Sequence, residues 1–221
     1  MFKHSILAGI AIASFTAPSL ADVKNNPIYI TVGAGNSFVP DIEGDTTISG
    51  TKYDLSSDME NSFFWQLGVG KHINKWRLEA AFSKFEPKME NITATTGGVG
   101  VTASIDPKPE YDIKSYMFNV YRDFTSEGKK ISPYLGAGLG STSVKMKNYT
   151  TTVSGTDVTV TDDGRDLFTW SIKGGANYRM NDSSDLFAEL SYSALEKFSE
   201  DDINYDAFSS INLIGGLRYK F

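Results

Sequence analysis

The chain has 221 residues, with 27 acidic and 21 basic side chains, a net charge of −6 at pH 7 and no cysteine. That excludes a disulfide framework and thiol chemistry, and it leaves no basic patch of the kind nucleic acid requires. The length suits one large all-β domain or two small ones.

The first element is an address rather than a fold. Lys3 is followed by an apolar run from Ile6 to Phe15 and by the small-residue exit Ser19-Leu20-Ala21. This order of charge, apolar run and small-residue site predicts a secretory signal over residues 1–21, cleaved between Ala21 and Asp22. The run is too short to span a bilayer as a helix, which needs roughly 20 apolar residues. Losing Lys3 with the signal takes the net charge from −6 to −7 over residues 22–221.

Eight segments with a period of two follow, each bounded by turn or loop residues. The first, about Ile28 to Asn36, alternates weakly and carries glycines. The second sets Phe63, Trp65, Leu67 and Val69 against Phe64, Gln66, Gly68 and Gly70. In the third, Trp76, Leu78, Ala80 and Phe82 share one face, while Arg77, Glu79, Ala81 and Ser83 share the other. Two charges on a face that should be buried would ruin a soluble sandwich, and they would equally ruin a soluble lipid-binding barrel with an apolar interior. They suit a membrane barrel, whose apolar face meets lipid and whose polar face lines the lumen.

The fourth segment sets Tyr116, Phe118 and Val120 against Ser115, Met117, Asn119 and Tyr121, and the fifth, about Pro133 to Ser143, relies on Gly136, Gly138 and Gly140. The sixth opposes Phe168, Trp170 and Ile172 to Thr169, Ser171 and Lys173. The seventh opposes Leu186, Ala188 and Leu190 to Phe187, Glu189 and Ser191. The last opposes Ile211, Leu213, Leu217 and Tyr219 to Asn212, Gly216, Arg218 and Lys220. The connections after segments two, four and six are short. Those after segments one, three, five and seven are long and polar, at about 38–61, 86–112, 144–166 and 195–207. Short turns at one end and long loops at the other predict an eight-stranded up-and-down transmembrane β-barrel, with both termini on the periplasmic side.

The chain ends in Leu217-Arg218-Tyr219-Lys220-Phe221. A terminal aromatic with apolar residues two and four places earlier resembles the assembly signal read by the barrel-insertion machinery. The segments Ser115-Tyr116-Met117-Phe118-Asn119-Val120-Tyr121-Arg122-Asp123-Phe124 and Pro133-Tyr134-Leu135-Gly136-Ala137-Gly138-Leu139-Gly140 resemble the fourth and fifth strands of the opacity/OmpA-like superfamily of porin-like surface antigens. The resemblance covers the whole chain after the signal. It implies a Gram-negative outer membrane, with lipid, lipopolysaccharide and the assembly machinery as partners. With Phe221 last, no peptidoglycan-binding domain is expected after the barrel. Members of that superfamily serve as adhesins, immune targets, envelope stabilisers or narrow pores.

Catalytic chemistry finds little support. His72 is the one histidine after the signal, and it falls in the first short connection, where an ordinary turn residue is expected. Neither a zinc site of nitrogen and sulfur ligands nor the spacing of a calcium loop is present, so no metal and no cofactor are expected. Glu79 and Glu189 have cationic neighbours that should keep both ionised, which disfavours a glycosidase-like pair. The inward charges Arg77, Glu79, Lys173, Glu189 and Arg218 are expected to satisfy one another inside a narrow lumen, with Lys220 and Arg179 escaping to the periplasmic rim and Asp123 near it. The four long connections hold an acidic excess and are the expected contact with a host or environmental ligand. A non-enzymatic surface protein is the leading reading, and a small pore or carrier for ions or small apolar molecules is the alternative.

The terminal alternation of Leu217, Tyr219 and Phe221 makes one prediction. Deleting Phe221 should leave synthesis unchanged and sharply reduce the folded fraction inserted in the membrane, scored by heat-modifiable migration in gels.

Overall fold

The computed structural model describes residues 27–104, 106–124, 129–153, 156–200, 203–205 and 208–221, so the expected signal and its cleavage point between Ala21 and Asp22 lie outside the described residues. In chain order the strands are β1 (Ile28–Phe38), β2 (Ile42–Ile48), β3 (Thr51–Met59), β4 (Ser62–Ile73), β5 (Trp76–Phe85), β6 (Met89–Thr96), β7 (Val99–Ser104) and β8 (Tyr111–Asp123). They continue as β9 (Ile131–Met146), β10 (Tyr149–Val153), β11 (Thr156–Val160), β12 (Arg165–Arg179), β13 (Ser184–Leu195), β14 (Phe198–Glu200), β15 (Ile203–Tyr205) and β16 (Ser209–Lys220).

Eight of these close into an antiparallel barrel in the order β1-β16-β13-β12-β9-β8-β5-β4. Closure joins the first strand to the last: Ile30 lies opposite Tyr219 and Leu213 opposite Asn36, the ladder running from Tyr29–Lys220 to Phe38–Ile211. A closed ladder leaves no unpaired edge, as hydrocarbon surroundings demand. At one end the strands are joined tightly, β4 to β5 through Asn74 and Lys75, with Asn74 in the left-handed region at φ 57°.

At the other end the four long connections are not structureless loops. They fold into the remaining eight strands, which form a crown of one six-stranded sheet, β14-β15-β2-β3-β6-β7, and one hairpin, β10-β11. Period-two reading after Asp22 therefore found the barrel strands and missed those of the crown. The missed signals are local: Ser49-Gly50 and Gly97-Gly98 have positive φ at both positions (51° and 81°, 56° and 81°), the geometry of tight hairpin turns.

The alternation sorts side chains as expected. Outside, exposed aliphatic residues such as Val32, Leu67, Leu135, Ile172 and Leu213 form the middle of a lipid-facing band. Aromatic residues fringe the band at both ends. Trp76, Tyr178, Tyr219 and Phe221 stand at the tight-turn end, while Phe63, Tyr116, Phe168 and Trp170 stand below the crown. Ring contacts join Trp65 to Phe82 (5.4 Å), Phe82 to Tyr116 (5.1 Å) and Trp170 to Tyr192 (5.6 Å) across strands.

Inside, large rings lie over glycines of adjacent strands. Tyr121 faces Gly136, Tyr134 faces Gly175, Tyr29 faces Gly70 and Phe187 faces Gly216. A Cβ at any of these glycines would collide with the ring it faces. The spaced glycines are thus sockets for lumen aromatics, and Gly215 and Gly216 test the point. A Cβ at Gly216 would meet the Val32 carbonyl and the Phe187 ring, whereas at Gly215 the nearest atom is 3.9 Å away on the lipid side. Gly216→Val should cost about 1–3 kcal/mol or block folding, and Gly215→Val should stay within about 0.5 kcal/mol, read from urea unfolding in lipid vesicles.

Candidate functional site

The lumen has three levels. Nearest the tight turns lies a charged layer built from inward positions of several strands. Arg77 is fully buried, and its Nε donates to Asp123 Oδ1 and Oδ2 at 3.1 and 2.9 Å. Its guanidinium stacks over Tyr121 and Tyr134 at 4.3 and 4.7 Å from the ring centres, a geometry that rewards a desolvated cation. Asn177 donates to Asp123 at 3.4 Å and accepts from Arg218 Nη1 at 2.6 Å, so the chain Arg218–Asn177–Asp123 crosses the lumen between non-adjacent strands before Asp123 meets Arg77 on the neighbouring β5. Arg218 also lies 5.2 Å above the Tyr29 ring and 5.3 Å above Phe187.

The carboxylates are tied in the same way. Glu79 accepts from Thr31 Oγ1 at 3.0 Å and from Tyr121 at 3.2 Å. Glu189 accepts from the Tyr134 hydroxyl at 3.0 Å and stands 3.6 Å from Lys173 Nζ. Lys220 reaches Asp185 at 3.0 Å. Arg77, Lys173, Arg218 and Lys220 are therefore matched in number by Glu79, Asp123, Asp185 and Glu189. Matching matters because an unpaired charge in such a space costs several kcal/mol.

Above this layer is a hydroxyl-lined cavity of ≈ 30 Å³, room for roughly two water molecules. Ser115, Thr142 and Thr169 form a hydroxyl chain with contacts of 2.8 and 2.7 Å, Asn212 donates to Ser191 at 3.2 Å, and Lys173 also lines the space. The third level is apolar. Phe64, Phe85, Ile113, Leu167 and Leu195 converge at the crown end with Val39 and Phe208 from the flanking connections, all buried. Phe64 and Phe85 pack ring to ring at 6.0 Å.

Outside the mouth, ion pairs form a chain at the base of the crown: Lys114–Asp112 (2.6 Å), Asp112–Lys84 (3.3 Å), Lys84–Glu86 (2.9 Å) and Glu86–Lys147 (2.8 Å), with Lys147 also on Glu110. Hydrogen bonds from Lys147 and Lys84 hold the Glu86 carboxyl below the usual carboxylate range. Any stability this supplies is present above the unfolded-state value and lost as pH falls through the folded one. At this exposure it is a small term.

With closure, the two-ended aromatic fringe and a polar interior in place, the comparison with known proteins is decisive. The profile of the outer membrane protein β-barrel domain matches residues 7–221. This chain belongs to that family, and the outer membrane is its location. Its structure resembles the crystal structure of Neisserial surface protein A (17% identity, 88% of this chain and 97% of that one, TM-score 0.56). It also resembles the outer membrane protein OprG from Pseudomonas aeruginosa (12% identity, 88% and 96%, TM-score 0.54). A third likeness is to the outer membrane protease OmpT from Escherichia coli (8% identity, 88% and 97%, TM-score 0.50). At these identities the likenesses establish the fold alone. No curated protein matches the sequence.

The charges expected in the lumen, Arg77, Glu79, Lys173, Glu189 and Arg218, are all buried or nearly so in the charged layer. Their partnering differs from expectation. Arg77 takes Asp123 rather than Glu79, and Arg218 takes an amide rather than a carboxylate. Asp123 ends β8 beside the tight turns, as expected, with its side chain buried on Arg77, whereas Lys220 does not escape, because Asp185 on the adjacent strand holds it. Arg179 is exposed. His72 is no turn residue: it ends the inward series of β4, 5.1 Å from the Tyr29 ring and 4.0 Å from Asp123. Parity alone would have placed Asp185 and His72 inward, since Asp185 precedes Phe187 by two and His72 follows Gly70 by two. Leu217, Tyr219 and Phe221 lie on the lipid side. Among the described residues no group of three His, Asp or Glu is placed to hold a metal.

Asp123→Ala should cost about 3–5 kcal/mol by leaving Arg77 uncompensated. Glu79→Ala should cost about 1–3 kcal/mol through the stranded Thr31 and Tyr121 hydroxyls, and Glu43→Ala in the crown under about 0.5 kcal/mol. Equilibrium unfolding in lipid checks the order.

Proposed function

We propose that this protein is a non-conducting, non-catalytic surface barrel of a Gram-negative outer membrane, exported by a signal cleaved between Ala21 and Asp22. It contributes to envelope integrity and uses its crown for contact with host or environmental surfaces. The observation that carries the reading is the burial of side chains at two levels of the lumen, the charged layer around Arg77 and the apolar cluster around Phe64 and Phe85. A lumen filled at both levels would offer no steady path for transport, and the crown would then be the part of the molecule built to vary and to bind. The paired state of the lumen carboxylates supports the absence of catalysis. Outer-leaflet lipid and lipopolysaccharide would surround the aromatic fringe, and Leu217, Tyr219 and Phe221 would engage the assembly machinery before insertion.

A pore or carrier for ions or small apolar molecules is the second reading, favoured by one observation. The chamber lined by Lys173 and several serine and threonine hydroxyls lies between the charged layer and the apolar cluster, whose Phe64 and Phe85 also line it. Planar-bilayer recording of the refolded chain separates the two. The scaffold reading predicts no steady open level, and Arg77→Ala alone should stay closed because the apolar cluster remains. A large, sustained conductance from the unmodified protein would establish the pore.

A further inference from the structure

The crown repeats the barrel's strand order above the membrane. Strands β14, β15, β2, β3, β6, β7, β10 and β11 prolong β13, β16, β1, β4, β5, β8, β9 and β12 respectively, so the crown would be a continuation of the barrel if all its neighbours paired. Among the described residues they do not. Strand β7 pairs only with β6, and β10 pairs only with β11, which leaves an unpaired seam between β7 and β10.

The β7 edge has properties that natural proteins usually avoid on such edges. From Asn91 to Ile105 no residue is charged, and neither lysine nor proline blunts the strand. All six residues of β7 are exposed, Val99 and Val101 at 68% and 69%. The two-residue turn at Gly97-Gly98 makes Thr96–Val99 a hydrogen-bonded pair, so Val99, Val101 and Ala103 bond to β6. The N–H and C=O groups of Gly100, Thr102 and Ser104 then point into the seam. Around this neutral edge the two connections that meet at the seam, 86–112 and 144–166, hold 9 Asp and Glu against 5 Lys and Arg.

We propose that the seam beside β7 is a β-augmentation site, which takes an extended peptide segment of a partner protein as an added strand. Backbone pairing to Gly100, Thr102 and Ser104 supplies the ladder, and Val99 and Val101 receive alternate apolar side chains. The acidic surroundings select a segment with an uncharged centre and basic flanks and repel one with acidic flanks. The proposal rests on the reading of the crown as the contact surface and narrows it to one edge.

The test uses the refolded chain in lipid nanodiscs and a short fluorescent peptide of alternating threonine and valine with lysine flanks. Saturable binding is expected. It should be abolished by N-methylating alternate peptide amides and weakened by glutamate flanks. Thr102→Pro, which removes a seam-facing N–H and leaves the bonds to β6, should weaken binding by about tenfold or more. Thr102→Ala, which keeps that N–H and loses only the 2.8 Å hydroxyl contact with Thr93, should bind as the parent does. If Thr102→Pro does not fold, the N-methyl contrast on the parent chain decides.

Equal binding of the N-methylated peptide, or no saturable binding, overturns the proposal. So do amides of Gly100, Thr102 and Ser104 that are already protected from exchange in the free protein, which would mean that β10 closes the seam. A dimer that forms with concentration and excludes the peptide would make a second copy the occupant and overturn it as well. Surface attachment that survives Thr102→Pro but disappears with the whole crown defeats this edge alone. Attachment indifferent to crown removal defeats the contact-surface reading instead.

Discussion

A backbone N–H or C=O in hydrocarbon has no water to bond, and each one left unpaired costs several kcal/mol. For this chain the demand is met by the ladder between β1 and β16, from Tyr29–Lys220 to Phe38–Ile211. Everything inside follows from that closure. Eight tilted strands enclose a space just wide enough for side chains, so every inward residue must fit and every inward charge must be answered. The glycines opposite Tyr29, Tyr121, Tyr134 and Phe187 are the steric response, since only a missing side chain lets those rings lie flat on the wall. The matched set of four cations and four carboxylates is the electrostatic one.

Those two responses reinforce each other. The rings seated on glycines are the ones that stack on Arg77 and Arg218 and that donate to Glu79 and Glu189. A ring displaced from its socket would strip a cation of its π face or a carboxylate of its donor. The charged layer and the wall are one packed unit, and above it lie the hydroxyl cavity and the apolar mouth. The crown has no such constraint. Water satisfies its edges, so it can leave the seam beside β7 open.

Most of the barrel was legible in the sequence because lipid imposes a strict period of two. Trp76-Arg77-Leu78-Glu79 shows both the pattern and its polarity, and the alternation of short and long connections shows the strand count. The lumen was legible as a list of inward charges but not as a set of pairs. Which carboxylate meets Arg77 depends on how far strands slide past each other around the barrel, and parity along one strand carries no information on that stagger. Asp185 and His72 were misplaced because strand ends were drawn too short, by a residue or two each. The crown strands were illegible for a different reason. Exposed to water on both faces, β7 has no apolar face to alternate with, and only its Gly97-Gly98 turn marks it.

The family membership fixes the location and the architecture, and the neighbours' low identities leave activity to the site itself. The reading of the protein as a closed scaffold depends on the charged layer being a coupled network rather than a set of independent charges. A double-mutant cycle on Arg77 and Asp123 measures this most directly, using Arg77→Met, Asp123→Asn and the double variant, with unfolding free energies determined in lipid vesicles. The account predicts a coupling of about 2 kcal/mol or more, within the range of neighbours in one buried network, the double variant being more stable than the sum of the single losses implies. Single losses that simply add, within about 0.5 kcal/mol, would contradict it.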